Sequence, residues 1–300
     1  MRLVIALGGN ALLKRGEVLS AENQRRNMRA AADALARACQ GHEVAIVHGN
    51  GPQVGLLALE ADAYKAVPPY PLDVLGAESQ GMIGYVIAQE LRNARPGWPV
   101  TALITQTVVD PADPAFETPT KPVGPVYARS DLVRLKAAHD WTFAPDGHGI
   151  RRVVPSPRPI AFVEQTTIER LIAAGETVVC AGGGGIPVRR ESDGRHEGVE
   201  AVIDKDFAAA LLAERLNADR LVILTDVEAI YAGWGGPALE PIREIKARDL
   251  RRHAFAAGSM GPKVGAACEY VEQTGNRASI GALQQAEAVA SFEAGTLIIP

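Results

Sequence analysis

The apolar runs of this chain are short, rich in β-branched residues and unbroken by polar ones, as in "LVIAL" at 3–7 and "LVIL" at 221–224. A strand that is apolar at every position is buried on both faces, so it belongs to a sheet covered by helices on either side. Similar runs stand at 44–47, 100–105, 177–180, 278–280 and 296–299. Between them, segments 21–39, 73–95, 164–174, 204–216 and 261–273 place apolar residues at three- and four-residue spacing, the period of a helix. This alternation predicts an α/β fold with a mostly parallel central sheet. Ligands of such sheets gather at the carboxyl ends of the strands.

Glycine-rich turns fall at those ends: "LGGN" after the first strand, "HGNGPQVG" after the second, "AGGGGIPV" after Cys180. Glycine lets the main chain come close to a ligand and turn its N–H groups inward, and such nests bind anions. One glycine turn could equally be a tight strand–helix connection. Three on one predicted edge point to an anion site. The pattern is neither G-x-x-x-x-G-K-[ST] nor a G-x-G-x-x-G opening the first helix, and the protein-kinase H-R-D and D-F-G signatures are absent.

Segment 111–159 breaks the alternation. It is rich in Pro, Gly and charge, with a helical pattern only at 131–138. It reads as an inserted excursion or small subdomain, because "PVYA" and "RRVVPSP" look like short strands; the alternative is a long disordered loop.

Composition narrows the function classes. A net charge of −4 with no basic block argues against a nucleic-acid partner. Cys39, Cys180 and Cys268 form neither a C-x-x-C pair nor a zinc spacing and read as buried small residues in a reducing compartment. No apolar stretch approaches the roughly 20 residues that a membrane span needs, and the N-terminal run is too short for a signal peptide. The expectation is a soluble, cytoplasmic protein with no membrane partner.

Lysine is scarce, at 14, 65, 121, 136, 205, 246 and 263 only. Lys121 in "TPTKPVG", Lys205 in "AVIDKDFAA" and Lys263 in "GSMGPKV" sit in unusual contexts. A compact ammonium suits a transferring phosphoryl group, whose charge spreads over three oxygens. Asp204 is placed to cap a helix, and Asp206 to pair with lysines; solvated charges at a helix start are the plainer alternative. Pro262 is expected at the first position of the last long helix. His48 reads as structural, since no second His or Cys stands at ligand spacing. Asn10 and Asn50 follow glycine turns and read either as turn residues or as amides for a small polar substrate. No convincing nucleophile stands beside a base, which favours direct in-line transfer.

The blocks "IALGGNAL", "HGNGPQVG", "GAESQGMIGY", "DPAFETPTKPVGPVY", "RRVVPSPRPI", "CAGGGGIPV", "GVEAVIDKDFAAALLA", "LVILTDVEAIY" and "GSMGPKVGAA" together resemble the carbamate kinases of the amino acid kinase superfamily, in order over nearly the whole chain. The resemblance implies a three-layer α/β/α sandwich with a small protruding subdomain. It implies reversible phosphoryl transfer between ATP and carbamate, giving ADP and carbamoyl phosphate, with Mg2+ carried by the nucleotide and no metal site on the protein, in a homodimer. An N-terminal lobe, 1–217, would take carbamate or carbamoyl phosphate, with the subdomain at about 118–157; a C-terminal lobe, 218–300, would take the nucleotide. Carried over by position, Lys205, Lys263, Asp206 and Lys121 would be catalytic. Gly8, Gly9, Asn10, Asn50, Gly51, Gly183 and Gly184 would bind the acyl phosphate. Thr225, Asp226, Tyr231, Met260 and Pro262 would face the nucleotide. A side chain at Gly183 or Gly184 is expected to fill the ligand's space. The chain departs from the family pattern at Ile150, where members often carry an aromatic residue, and after Gly281, where the blocks blur. An acyl-phosphate kinase acting on an amino acid carboxylate, and a catalytically silent nucleotide-binding regulator, are the rival readings.

Overall fold

The computed structural model describes residues 1–9, 12–14, 16–232, 240–255 and 260–300. The chain opens with β1 (Arg2–Leu7), α1 (Ala21–Cys39), β2 (Glu43–His48), α2 (Gly51–Ala63) and α3 (Leu72–Ala94). Next come β3 (Val100–Ala102), β4 (Gln106–Val109), β5 (Lys121–Tyr127), α4 (Leu132–Ala138), β6 (Thr142–Asp146), β7 (Gly149–Val154) and β8 (Pro159–Phe162). They are followed by α5 (Gln165–Ala173), β9 (Thr177–Val179), β10 (Ile186–Arg190), β11 (His196–Gly198) and α6 (Lys205–Arg215). The last stretch holds β12 (Arg220–Thr225), β13 (Ile230–Ala232), β14 (Glu240–Ile242), β15 (Glu244–Lys246), α7 (Ala247–Leu250), α8 (Met260–Thr274), β16 (Arg277–Ala282), α9 (Ala286–Ala290) and β17 (Thr296–Ile299).

Eight strands form the central sheet in the order β15-β17-β16-β12-β1-β2-β9-β3. Every neighbouring pair is parallel except β16 with β17. β1 lies in the middle, paired with β12 on one side and β2 on the other. Its residues alternate between two cores. Leu3, Ile5 and Leu7 pack with Met28 and Leu35 of α1 and Ile83 and Ile87 of α3. Val4 and Ala6 face the other way, towards Leu212 of α6 and Val271 of α8. Full burial of such a side chain contributes about 1.5–3 kcal/mol, so the continuous apolar strands read from the sequence require both helical layers. α1 starts where Ser20 Oγ accepts the Asn23 N–H at 3.2 Å.

The run at 100–105 is not one strand. β3 ends at Ala102, and the chain crosses to a second sheet, ordered β11-β10-β4-β8. The break lies at buried Thr105, whose N–H donates to Gln80 Oε1 at 2.8 Å and whose carbonyl accepts from Gln80 Nε2 at 3.0 Å. Gln80 thus grips both backbone groups of Thr105 where the chain passes between sheets, and the same carbonyl accepts Ile186 N at 2.9 Å, the first link to β10. α2 is a further helix, where the sequence shows only a glycine turn, because Gly51, Pro52 and Gly55 mask its periodicity. α8 begins at Met260, which makes Pro262 its third residue rather than its first. Proline is still tolerated there, because first-turn N–H groups have no intrahelical partner.

The Pro-rich excursion folds as an antiparallel sheet, β5-β7-β6. The Arg152 guanidinium lies over Trp141 at 4.4 Å, and Trp141 stacks on His139 at 3.9 Å. The inner face of the sheet closes a small core of Val123 and Val154 with Val54 of α2, Leu72 and Leu75 of α3, and Val202. All three cysteines are buried and unpaired. Burial pushes the thiols of Cys39 and Cys180 up to about 12 and that of Cys268 to about 11. Among the described residues, no helix is long and apolar enough to cross a membrane.

The excursion meets α2 through two glycines. A Cβ on Gly55 would lie 2.7 Å from the Gly124 Cα, with backbone on both sides. Gly55→Ala gains about 1 kcal/mol of helix propensity but meets an overpacking cost of about 1–3 kcal/mol. Urea unfolding of this variant should show a net loss of stability.

Candidate active site

The carboxyl ends of β1, β2 and β9 lie side by side and carry the glycine turns Gly8–Gly9, Gly49–Gly51 and Gly182–Gly185. Gly8 N donates to Leu224 O at 2.8 Å and Gly49 N to Leu7 O at 3.2 Å, which fixes two turns on the sheet edge. α6 points its N-terminus at this edge. Lys205 crosses the second turn so closely that a Cβ on Gly49 would lie 3.3 Å from its Cδ.

Asp206 is the centre of the charge arrangement. Only 3% of it is exposed, yet its carboxylate holds two ammonium groups. Lys205 Nζ donates to Oδ1 at 2.5 Å, and Lys263 Nζ, from α8, donates to Oδ2 at 3.0 Å. Burial alone would raise the Asp206 pKa, but the two lysines outweigh it and bring it to about 2. Burial lowers the pKa of Lys205, and Asp206 opposes that shift. Two cations sharing one anion leave a residual positive charge in a poorly solvated place, which an anionic ligand would neutralise.

A cleft of about 760 Å³ opens over this group. Gly9, Asn50, Gly51, Gly183, Lys205, Asp206, Pro262 and Lys263 line its floor. Lys121, Asp146 and Arg151 reach it from the β5-β7-β6 side, its roof, and Arg158 borders it from the segment between β7 and β8. Five basic side chains and three carboxylates line it in all, so its field favours anions. Lys121 Nζ pairs with Asp204 Oδ2, while Asp204 Oδ1 accepts the Asp206 N–H at 2.9 Å and caps α6. Asn50 Nδ2 donates to Ser79 Oγ at 2.9 Å, and that hydroxyl donates to Gly76 O at 2.7 Å.

Other residues named from the sequence lie apart from the cleft wall. Gly8 packs under Leu224 and Thr225, and Gly184 lies behind the loop against Ile203. Thr225 ends β12 with its hydroxyl 3.2 Å from Asp226 Oδ1, Tyr231 is on β13, and Met260 opens α8. Asn10 lies outside the described residues. Among the described residues, no three His, Cys, Asp or Glu side chains converge as a metal site.

The four glycines have a different cause from the one expected. Gly183, Gly184 and Gly185 take φ of 66°, 95° and 93°, and Ala181 before them takes 48°. A Cβ would lie 2.2 Å from Asn50 Nδ2 at Gly183, 2.5 Å from Ile203 O at Gly184 and 1.8 Å from Thr107 Oγ1 at Gly185. Protein atoms, not ligand space, exclude side chains here. At Gly182 the obstacle is His48 Nε2, 2.2 Å from the Cβ position. His48 is 1% exposed, and its Nδ1–H donates to Gly49 O at 3.0 Å. Burial lowers its pKa to about 4, so it is neutral at pH 7 and buttresses two turns.

Sequence reasoning missed several supports. Thr105 Oγ1 accepts from Ala181 N at 3.0 Å, and Thr107 Oγ1 donates to Gly184 O at 2.9 Å. Arg158 lies over the Phe207 ring at 3.6 Å and pairs with Glu269 of α8. No local pattern marks Thr105 and Thr107; Arg158 stands within the "RRVVPSPRPI" block, as Ser79 and Gln80 stand within "GAESQGMIGY".

The site dictates an acid response in two stages. His48 has a folded pKa below its unfolded value of 6.5, so its contribution to stability is full above about pH 6.5 and fades towards pH 4. Asp206 is depressed from 3.8 to about 2, so its contribution is full above about pH 4 and fades as pH falls towards 2. Urea unfolding across pH should show both stages. Asp206→Asn should lose the lower one and be less stable by about 3–5 kcal/mol at neutral pH, as two buried ammonium groups lose their partner.

The sequence model of the amino acid kinase family matches residues 1–281. The carbamate kinase of Escherichia coli (strain K12) is 54% identical over 297 residues, covering 99% of this chain and 98% of that protein. The carbamate kinase of Pyrococcus furiosus is 48% identical over 312 residues, covering 100% and 99%. Among solved structures, carbamate kinase from Giardia lamblia bound to AMP-PNP superposes with a TM-score of 0.91 at 42% identity, covering 99% of this chain and 98% of that one. By sequence over its full length and by fold, the chain belongs to the amino acid kinase family and, within it, to the carbamate kinases.

Proposed function

We propose that this chain transfers a phosphoryl group reversibly between ATP and carbamate, forming ADP and carbamoyl phosphate. The observation that carries the reading is the buried Lys205–Asp206–Lys263 group at a cleft floored by glycine turns. Transfer of this kind asks the protein for position and positive charge. Lys205 and Lys263 supply the charge, and Asp206 holds both ammonium groups within one carboxylate's reach. Gly9, Asn50, Gly51 and Gly183 bound the acyl-phosphate end, with Lys121 above it. Gly8 and Gly184 support that end from behind. Thr225 and Asp226 at the end of β12, Tyr231 on β13, and Met260 and Pro262 in the first turn of α8 serve the nucleotide. The acyl-phosphate side falls within 1–217, whose excursion at about 118–157 forms the roof, and the nucleotide side within 218–300. Among the described residues lining the cleft there is no histidine or cysteine, and direct in-line transfer without a phosphoenzyme follows most simply.

Magnesium belongs to this reading as a companion of the nucleotide. Asp204 and Asp206 are engaged by lysines and Asp146 by Arg151, so each carboxylate among the described residues lining the cleft already holds a cation. Nucleotide phosphates are the usual ligands of magnesium in kinase sites, where the ion neutralises phosphate charge. From the family resemblance we also infer a homodimer working in the cytoplasm. An acyl phosphate has a higher transfer potential than ATP, so ATP synthesis is the proposed net direction, in breakdown of arginine or another ureido compound.

Purified protein mixed with magnesium-ADP and fresh carbamoyl phosphate should form ATP rapidly, and acetyl phosphate should serve poorly. Lys205→Ala should keep its fold and lose about 100- to 1000-fold in turnover, the usual loss for one transition-state charge. Near-normal turnover in that variant would remove Lys205 from the chemistry. Activity on amino acid acceptors with none on carbamoyl phosphate would overturn the substrate assignment.

A further inference from the structure

Segment 199–204, between β11 and α6, threads between the roof and the floor of the cleft, and its residues alternate between the two. Ala201 and Ile203 are buried, Ile203 in the core under the sheet, with its carbonyl against Gly184. Glu200, Val202 and Asp204 face the roof instead. Glu200 accepts from Arg152 Nη2 of β7 at 3.0 Å. Val202 packs with Val123 and Val154, and its N–H donates to Pro155 O at 3.0 Å. Asp204 takes the Lys121 ammonium, 83 residues away in sequence. The segment is therefore a strap tying the roof to the floor at every second residue.

Asp204 is the contact with a second task. One of its oxygens caps α6, the helix that begins with Lys205 and Asp206, and the other holds Lys121. The two side chains of this pair are 14% and 30% exposed, which limits screening. A lysine has a flexible four-carbon stem; a carboxylate fixed by its own helix cap restrains its ammonium. We propose that Asp204 is a positioning residue for phosphoryl transfer, setting Lys121 of the roof relative to the Lys205–Asp206–Lys263 group of the floor. This rests on the reading that the cleft transfers a phosphoryl group to or from a small acyl phosphate.

The test compares wild type with Asp204→Asn, Asp204→Ala, Lys121→Gln and the double variant Asp204→Asn/Lys121→Gln. Asparagine caps helices as well as aspartate does, so Asp204→Asn should keep the wild-type Tm and ADP affinity. Its kcat/KM for carbamoyl phosphate should fall about 10- to 100-fold, the size of loss that follows small misplacement of a reacting partner. Asp204→Ala should show the same kinetic loss and also a Tm lower by a few degrees. In the Lys121→Gln background, adding Asp204→Asn should change kcat/KM by less than about twofold, because Asp204 acts through Lys121. Wild-type kinetics in Asp204→Asn, or equal losses in the two backgrounds, would overturn the proposal. If wild type itself forms no ATP, the functional reading fails. The coupling is then read from thermal shifts produced by carbamoyl phosphate on the same proteins: non-additive shifts uphold the Asp204–Lys121 link, and additive ones overturn it.

Discussion

One carboxylate sets the terms for this site. Two ammonium groups cannot share a dry cleft floor without an anion between them, and Asp206 is that anion. Its position follows from the fold. It sits in the first turn of α6, next to the cap, while α8 lies alongside and delivers Lys263. The helical layer that packs on one face of the sheet, through Leu212 and Val271, therefore also brings the two lysines together. Core packing and charge placement are consequences of a single helix pair.

The glycine turns show the same economy from the backbone side. Positive φ values at 181 and 183–185 bend the chain tightly, and His48, Asn50, Thr107 and Ile203 fill the space that side chains would take. The loop is shaped by protein contacts first, and the cleft inherits that shape. A neutral His48 suits this role, since a charged imidazole beside Lys205 would be unfavourable in the dry interior.

Much of this was legible in the residues, and the rest was not, for physical reasons. The central strands announce themselves because burial on both faces leaves no polar interruption. Asp204, Lys205 and Asp206 form a local pattern, so the cap and the lysine pairing could be expected from neighbours in the chain. The Lys121–Asp204 pair and the Gln80–Thr105 exchange join residues distant in sequence, and no periodicity records such meetings. α2 escaped because glycine and proline hide a helix whose first turn they occupy. The purpose of the four glycines was misread because a glycine's empty side is visible in a sequence, but what occupies that side is not.

The adjacency of β1 and β12 carries a metric consequence. Leu7 and Leu224 are partners in one ladder, and laddered strands lie about 4.8 Å apart. The turn after β1 and the Thr225–Asp226 corner after β12 are thus separated by a lattice constant of the sheet. A ligand lying across both is gauged against hydrogen-bond spacing, a ruler that no side-chain substitution can recalibrate.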